Sequence, residues 1–196
     1  MTNQRWMGIV WTAAALGCGL LAGSSEVKSH KLTFISPRKM ADSLHEVIAA
    51  DREAYARLIV QRLDAEEHRL TTTEDWRAAH GLPVPAQMLR EAGQSIQMRG
   101  AEFSYTLRSL WPINPSYGPQ TEVEQTGLEA VARHPEENYY SEETLGGRSY
   151  FTAVYADLAT LPCCAECHNR HPRSPRHDFQ TNEVMGAIVV RVPLEF

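Results

Sequence analysis

Apolar residues along this chain keep two rhythms, and the change between them divides the sequence. From Pro37 to about Arg69, the residues Met40, Leu44, Val47, Ile48, Tyr55, Leu58, Ile59 and Leu63 recur at helical spacing. This predicts one long helix with a single apolar stripe, suited to packing along a sheet or against a second copy of the chain. Thr71-Thr72-Thr73-Glu74 interrupts the pattern and offers a cap for a short helix over Trp76 that ends at Gly81. Pro83 and Pro85 restart a helix in which Met88, Leu89, Ala92 and Ile96 share a face.

From Ala101 the period falls to two. Phe103, Tyr105 and Leu107 alternate with polar residues, which predicts a strand running to Pro112, and WPINPSYGP then reads as a loop. Thr121 and Glu124 have capping-box spacing for a helix carrying Val123, Leu128 and Val131 and closed by Pro135. Tyr139 and Tyr140 begin a strand, Gly146-Gly147 turns it into RSYFTAVYADL, and Val184 to Val192 forms the last strand. Helices first, then antiparallel strands around one helix, make an α+β domain with a single antiparallel sheet.

The N-terminus keeps neither rhythm. Arg5 precedes an uncharged run from Trp6 to Gly23, which reads as a secretory signal or a membrane anchor. Three fates are open: cleavage near Ala22-Gly23-Ser24, retention as an anchor, or lipidation at Cys18, although Ala15 stands where a lipobox prefers leucine. All three place the rest of the chain outside the cytoplasm, in a periplasmic setting. The chain accordingly divides into residues 1–24 (signal or anchor), 25–36 (linker) and 37–196 (domain).

Composition narrows the partners. A net charge of −5, with basic residues scattered among acidic ones, argues against nucleic acid, which needs a clustered basic face. No paired carboxylates, activated serine or phosphate loop points to catalysis, so no enzyme is expected.

The chemistry concentrates in CCAECHNRHPRSP, Cys163 to Pro175, which holds three of the four cysteines. Cys164, Cys167 and His168 form C-x-x-C-H, the attachment signal for c-type haem. Two thiols one helical turn apart can reach the vinyl groups on one porphyrin edge, and the adjacent imidazole then lies under the iron as an axial ligand. A zinc site would use Cys164 and Cys167 with Cys163, His168 or His171, but the second separated ligand pair that such sites draw on is missing. A thioredoxin-like pair belongs after a strand of a parallel sheet, and a Cys164–Cys167 disulfide closes too short a loop to stabilise much. Haem c is the cofactor these residues fit best.

The residues beyond the cluster carry a resemblance. ECHNRHPRSPRHDF followed by NEVMGAIVVRVPL is similar to the C-terminal part of a c-type haem-binding sensor family found in bacterial cyclases, kinases and chemoreceptors. The match runs through Cys164, Cys167, His168, Asn169, His171, Pro172, Ser174 and Pro175, with Arg176 for a lysine, Phe179 for a tryptophan, Asn182 for a glycine, Glu183 for an aspartate, and Gly186 kept. LPVPAQMLREAG and the tract from Phe103 to Tyr150 are also similar, so the likeness spans about residues 40 to 194. It implies a Per-Arnt-Sim-like (PAS-like) fold and a haem c held by Cys164 and Cys167, with His168 as proximal ligand. A cyanobacterial member ligates its iron through histidine and a distal cysteine in the N-terminal helical part. This chain has no cysteine between Cys18 and Cys163, so Met88, on the helix that corresponds to the ligand-bearing region, becomes the first candidate for the sixth ligand, ahead of His80 and Met98. His171 is expected to serve locally, bonding a haem propionate or the loop backbone rather than reaching across the ring, and Cys163 to be a small buried residue.

The resemblance implies sensing of redox state or a small gas. The sequence ends just after the last strand, so the signal is expected to pass through a partner protein, through a second copy across the long helix, or at the membrane if the N-terminus is retained. A simple electron carrier and a zinc-stabilised interaction module are the other two readings.

Overall fold

The computed structural model describes residues 34–195, so the signal or anchor, Cys18 and most of the linker lie outside the described residues. Ser36 starts the first helix, its Oγ accepting the Lys39 N–H at 3.2 Å, with Pro37 in the first turn where its missing N–H costs nothing. Helix α1 (Pro37–Tyr55) continues directly into a π-helical segment (Ala56–Glu66) rather than running as one α-helix to Arg69. The Glu67 N–H bonds to Arg62 O at 2.9 Å, five residues back. The wider turn keeps Ala56, Val60 and Asp64, spaced by four, along one side. Among the described residues no helix is long and apolar enough to cross a membrane.

The break at Thr71–Glu74 folds into more than a cap. Strand β1 (Thr72–Thr73) pairs in parallel with β2 (Leu82–Pro83), and helix α2 (Trp76–Ala79) lies between them. Gly81 is required here, because a Cβ would fall 2.2 Å from Thr71 O. Two-residue strands leave no hydrophobic period to read, which is why the sequence showed only the helix. Helix α3 (Pro85–Met98) follows.

Strand β3 (Ser104–Arg108) stops four residues before Pro112. Ser109 ends it by donating its hydroxyl to Met185 O at 2.6 Å and accepting the Trp111 N–H at 2.9 Å. A 3-10 turn (Pro115–Tyr117) leads to helix α4 (Glu122–Arg133), where Thr121 caps the Glu124 N–H at 3.1 Å as expected. The reciprocal bond lands one residue earlier than a capping box places it, from Gln120 N–H to Glu124 Oε2 at 2.7 Å. Strands β4 (Tyr139–Leu145) and β5 (Arg148–Leu158) form a hairpin through Gly146-Gly147, both at positive φ. Helix α5 (Pro162–Arg170) carries the cysteine cluster, and β6 (Val184–Pro193) completes an antiparallel sheet of order β3-β6-β5-β4.

The central strands are buried on both faces, so their period-two alternation sorts side chains between two cores. Ala153, Tyr155, Ile188, Val190 and Val192 face α1 and α3, packing against Ala41, Ile48 and Leu89. Val154, Ala187 and Val189 face α4, against Leu128 and Val131. Burying each larger aliphatic side chain is worth about 1.5–3 kcal/mol. Tyr140 and Tyr155 both donate hydroxyls to Asp42 Oδ1 at 2.8 Å, fixing α1 across the sheet. The result is the α+β architecture with one main antiparallel sheet that the sequence predicts.

Candidate cofactor site

Helix α5 begins with Leu161 extended and Pro162 in the first turn, and Ala165 faces inward against Ala159, Phe179 and Met185. That inward face leaves Cys164 half-buried and Cys167 exposed, three residues apart, with His168 next on the helix. The three thiols are not bridged. Cys163 donates its thiol proton toward Cys164, which lowers Cys164 to about 6 and raises Cys163, with burial adding to the rise. Although the residue is exposed overall, desolvation of its thiol, followed by the charge of Glu74, pushes Cys167 up. Cys164 is therefore the thiol best disposed to react as a thiolate near neutral pH.

The His168 ring meets Phe179 edge-on, with centroids 5.7 Å apart at 88°. Its pKa is driven down to about 4, first by burial and then by neighbouring His171, so the imidazole is neutral and able to act as a ligand. His171 does serve locally: its Nδ1 accepts the Arg173 N–H at 3.2 Å, and its Nε2 faces Glu74 Oε2 at 3.4 Å.

Cys163, Cys164, Cys167, His168 and His171 form one wall of a cavity. Arg52, Ala56, Val60 and Asp64 on the long helix form another, and Val84, Pro85, Ala86 and Arg90 at the start of α3 a third. The end of β3 and its following loop supply Leu107, Arg108, Ile113 and Tyr117. Asp157, Met185 and Gly186 close it where β5 and β6 lose register, with Asp157 opposite Gly186, Leu158 opposite Val184, and Met185 the extra residue. Arg52 Nη1 reaches Asp157 Oδ1 at 2.9 Å with both side chains largely buried. Burial raises the Asp157 carboxyl, although Arg52 pulls it the other way.

Five buried side-chain atoms lack a hydrogen-bond partner among the described residues: Arg52 Nε, Thr72 Oγ1, Arg90 Nε, Arg108 Nε and His168 Nδ1. Arg108 Nε lies 3.1 Å from Glu124 Oε2, an ion-pair contact without hydrogen-bond alignment. All five belong to residues that line this cavity. Native proteins leave few such atoms, and their confinement to one cavity fits a polar-edged, largely apolar group seated among them. A neutral histidine beside two thiols fits an iron porphyrin. The donor set fits zinc poorly, since no three His, Cys, Asp or Glu side chains among the described residues are grouped to hold an ion.

Met88, the expected sixth ligand, does not line the cavity. It packs half-buried against the sheet core with Ala86 and Ala92, because its turn of α3 faces the strands. His80 and Met98 are exposed and outside the lining as well. The residues the sequence did not single out are Arg52, Arg90 and Asp157. A charge inside an apolar helical or strand pattern is their only signal, and it does not say what the charge faces.

Comparison with known proteins gives a consistent picture. A family model described as Tll0287-like matches residues 27–193. Among solved structures, that of the cyanobacterial heme-protein Tll0287 superposes with a TM-score of 0.51 at 16% identity, covering 82% of this chain and 98% of that one. No curated protein matches the sequence.

Proposed function

The chain belongs to the Tll0287-like family, and from that premise we propose that it is an exported haem c protein acting as a redox or gas sensor through a partner. The observation that carries the haem reading is that every unpartnered buried polar side-chain atom among the described residues belongs to a residue lining the cavity walled by C-x-x-C-H. Cys164 and Cys167 would hold the porphyrin through thioethers and His168 its iron, which supplies one-electron chemistry or a seat for a diatomic ligand. Phe179 fixes the His168 ring, and burial keeps its nitrogen free of a proton. The helical walls at Arg52, Ala56, Val60, Val84, Pro85 and Ala86 offer no thiol, thioether or imidazole. Met185 and His171 bring a thioether and an imidazole to the other walls, so sensing is favoured on the reading that the position facing the long helix and α3 stays open to a small ligand. On the same reading the sheet and its helices are a PAS-like module in the periplasm, signalling to a partner protein or a second copy.

Expression of the full chain with a cytochrome c maturation system tests this. The product is expected to keep its Soret band through acidic acetone extraction and to stain for haem on a denaturing gel. A colourless product carrying stoichiometric zinc overturns it. Ferrous protein that binds carbon monoxide within seconds supports the sensor, and inertness assigns the carrier role instead.

A further inference from the structure

Among the described residues three arginines line the cavity, and two of them are paired with carboxylates. Arg52 pairs with Asp157 at 2.9 Å, and Arg108 lies 3.1 Å from Glu124, which also holds Arg191 at 2.8 Å. Arg90 has no carboxylate partner and makes no side-chain hydrogen bond among the described residues, and its Nε is buried and unpartnered. Its guanidinium lies 3.6 Å over the centroid of the Tyr117 ring, so α3 and the Pro115–Tyr117 turn hold it in place at the wall. Every other arginine without a carboxylate partner among the described residues (Arg57, Arg99 and Arg133) is exposed. Glu74 and Asp157 act on Arg90 only at longer range, and a half-buried guanidinium without a paired carboxylate is costly, a cost the stacking contact offsets only in part. The planar fork on Arg90 suits a carboxylate.

We propose that Arg90 anchors a carboxylate of the group bound in this cavity, which, resting on the haem reading above, is a propionate of the porphyrin. The thioethers and His168 fix one edge of the ring and the iron, and a charge-assisted bond from α3 fixes the carboxylate-bearing edge. The ring is then tied to elements far apart in sequence, Arg90 on one and Cys164, Cys167 and His168 on the other.

The test compares Arg90→Met, Arg90→Gln and Arg90→Lys with the wild type, each as the full chain, haem-loaded and haem-free. Losing the anchor should lower the melting temperature of haem-loaded Arg90→Met by about 3–12 °C, the range for one charged hydrogen bond in a chain of this size. In the haem-free chain the same substitution should raise it, because an uncompensated charge is removed. Arg90→Lys should retain most of the haem-loaded stability. The propionate bending band in resonance Raman spectra should shift in Arg90→Met and Arg90→Gln and hold in Arg90→Lys, which gives a readout even where a haem-free variant does not fold. An unmoved band in both neutral variants, or a fall in melting temperature in both haem states, overturns the assignment and leaves Arg90 a packing residue. A wild-type chain that matures without haem overturns the haem reading, and the propionate assignment with it.

Discussion

Asn169 grips the backbone of Phe179 with both ends of its amide: Nδ2 donates to Phe179 O, and Phe179 N–H donates to Oδ1, each at 2.9 Å. The clamp closes the loop that follows α5 and sets Phe179, 2% exposed, edge-on to His168. Asn169 is thus a positioning residue for the proposed iron ligand. Asn169→Ala should cost roughly 1–3 kcal/mol in urea unfolding, because two backbone groups lose their partners. In haem-loaded protein it should broaden or shift the Soret band while the haem stays covalently bound. An unchanged spectrum would confine the clamp to loop stability.

The thiols divide by role. Cys164→Ser and Cys167→Ser together should abolish covalent haem on a denaturing gel, and either alone should leave a single thioether with a red-shifted pyridine haemochrome. Cys163→Ser should keep both thioethers, since Cys163 lines the cavity but lies outside the C-x-x-C-H attachment signal. Loss of haem from Cys163→Ser would require a new arrangement of the cluster.

Met88 packs on the sheet core, so Met88→Ala should leave the haem spectra unchanged in both oxidation states and lower stability by about 2 kcal/mol, the low end for methionine truncation. A change in spin state would bring its thioether into the coordination sphere.

Glu124, 1% exposed in the first turn of α4, sits between Arg108 and Arg191. Glu124→Ala leaves two buried guanidinium groups short of a partner and should cost about 3–5 kcal/mol by equilibrium unfolding. A cost below 1 kcal/mol would show the cluster to be replaceable.

His45 stacks on Tyr155 with ring centroids 4.0 Å apart, and burial holds its pKa below 6.5 despite Glu46, Asp42 and Asp157. The unfolded chain takes up this proton as pH falls through 6.5 while the folded chain resists, so its effect is absent above that pH and destabilises below it. Urea unfolding from pH 8 to 5 should therefore give a flatter stability curve for His45→Phe than for the wild type. Parallel curves would mean that His45 protonates without cost to the fold.

Much of this was readable from the chain. The hairpin from Tyr139 to Leu158 and the last strand were legible because period-two apolar runs and a Gly-Gly turn encode them locally. The C-x-x-C-H wall was legible because its three residues are neighbours. The other walls were not. The switch to a π-helix at Ala56 leaves the apolar spacing almost unaltered, and the stacking that holds Arg90 at the wall depends on a turn 27 residues further on. Met88 shares a helical face with Leu89, Ala92 and Ile96, and that face meets the strands rather than the cavity.

The sheet order has a consequence for synthesis. Strand β6 is made after α5, yet it lies between β3 and β5, both made before it. Until Val184 to Pro193 has emerged, β3 has no neighbour and the two cores lack their central strand. Docking must therefore wait for a long-range pairing, the kind that folds slowly. During that interval Cys164 and Cys167 sit on a nine-residue segment with nothing complete to pack against. The topology thus orders events, making closure of the fold around the two thiols one of its last steps.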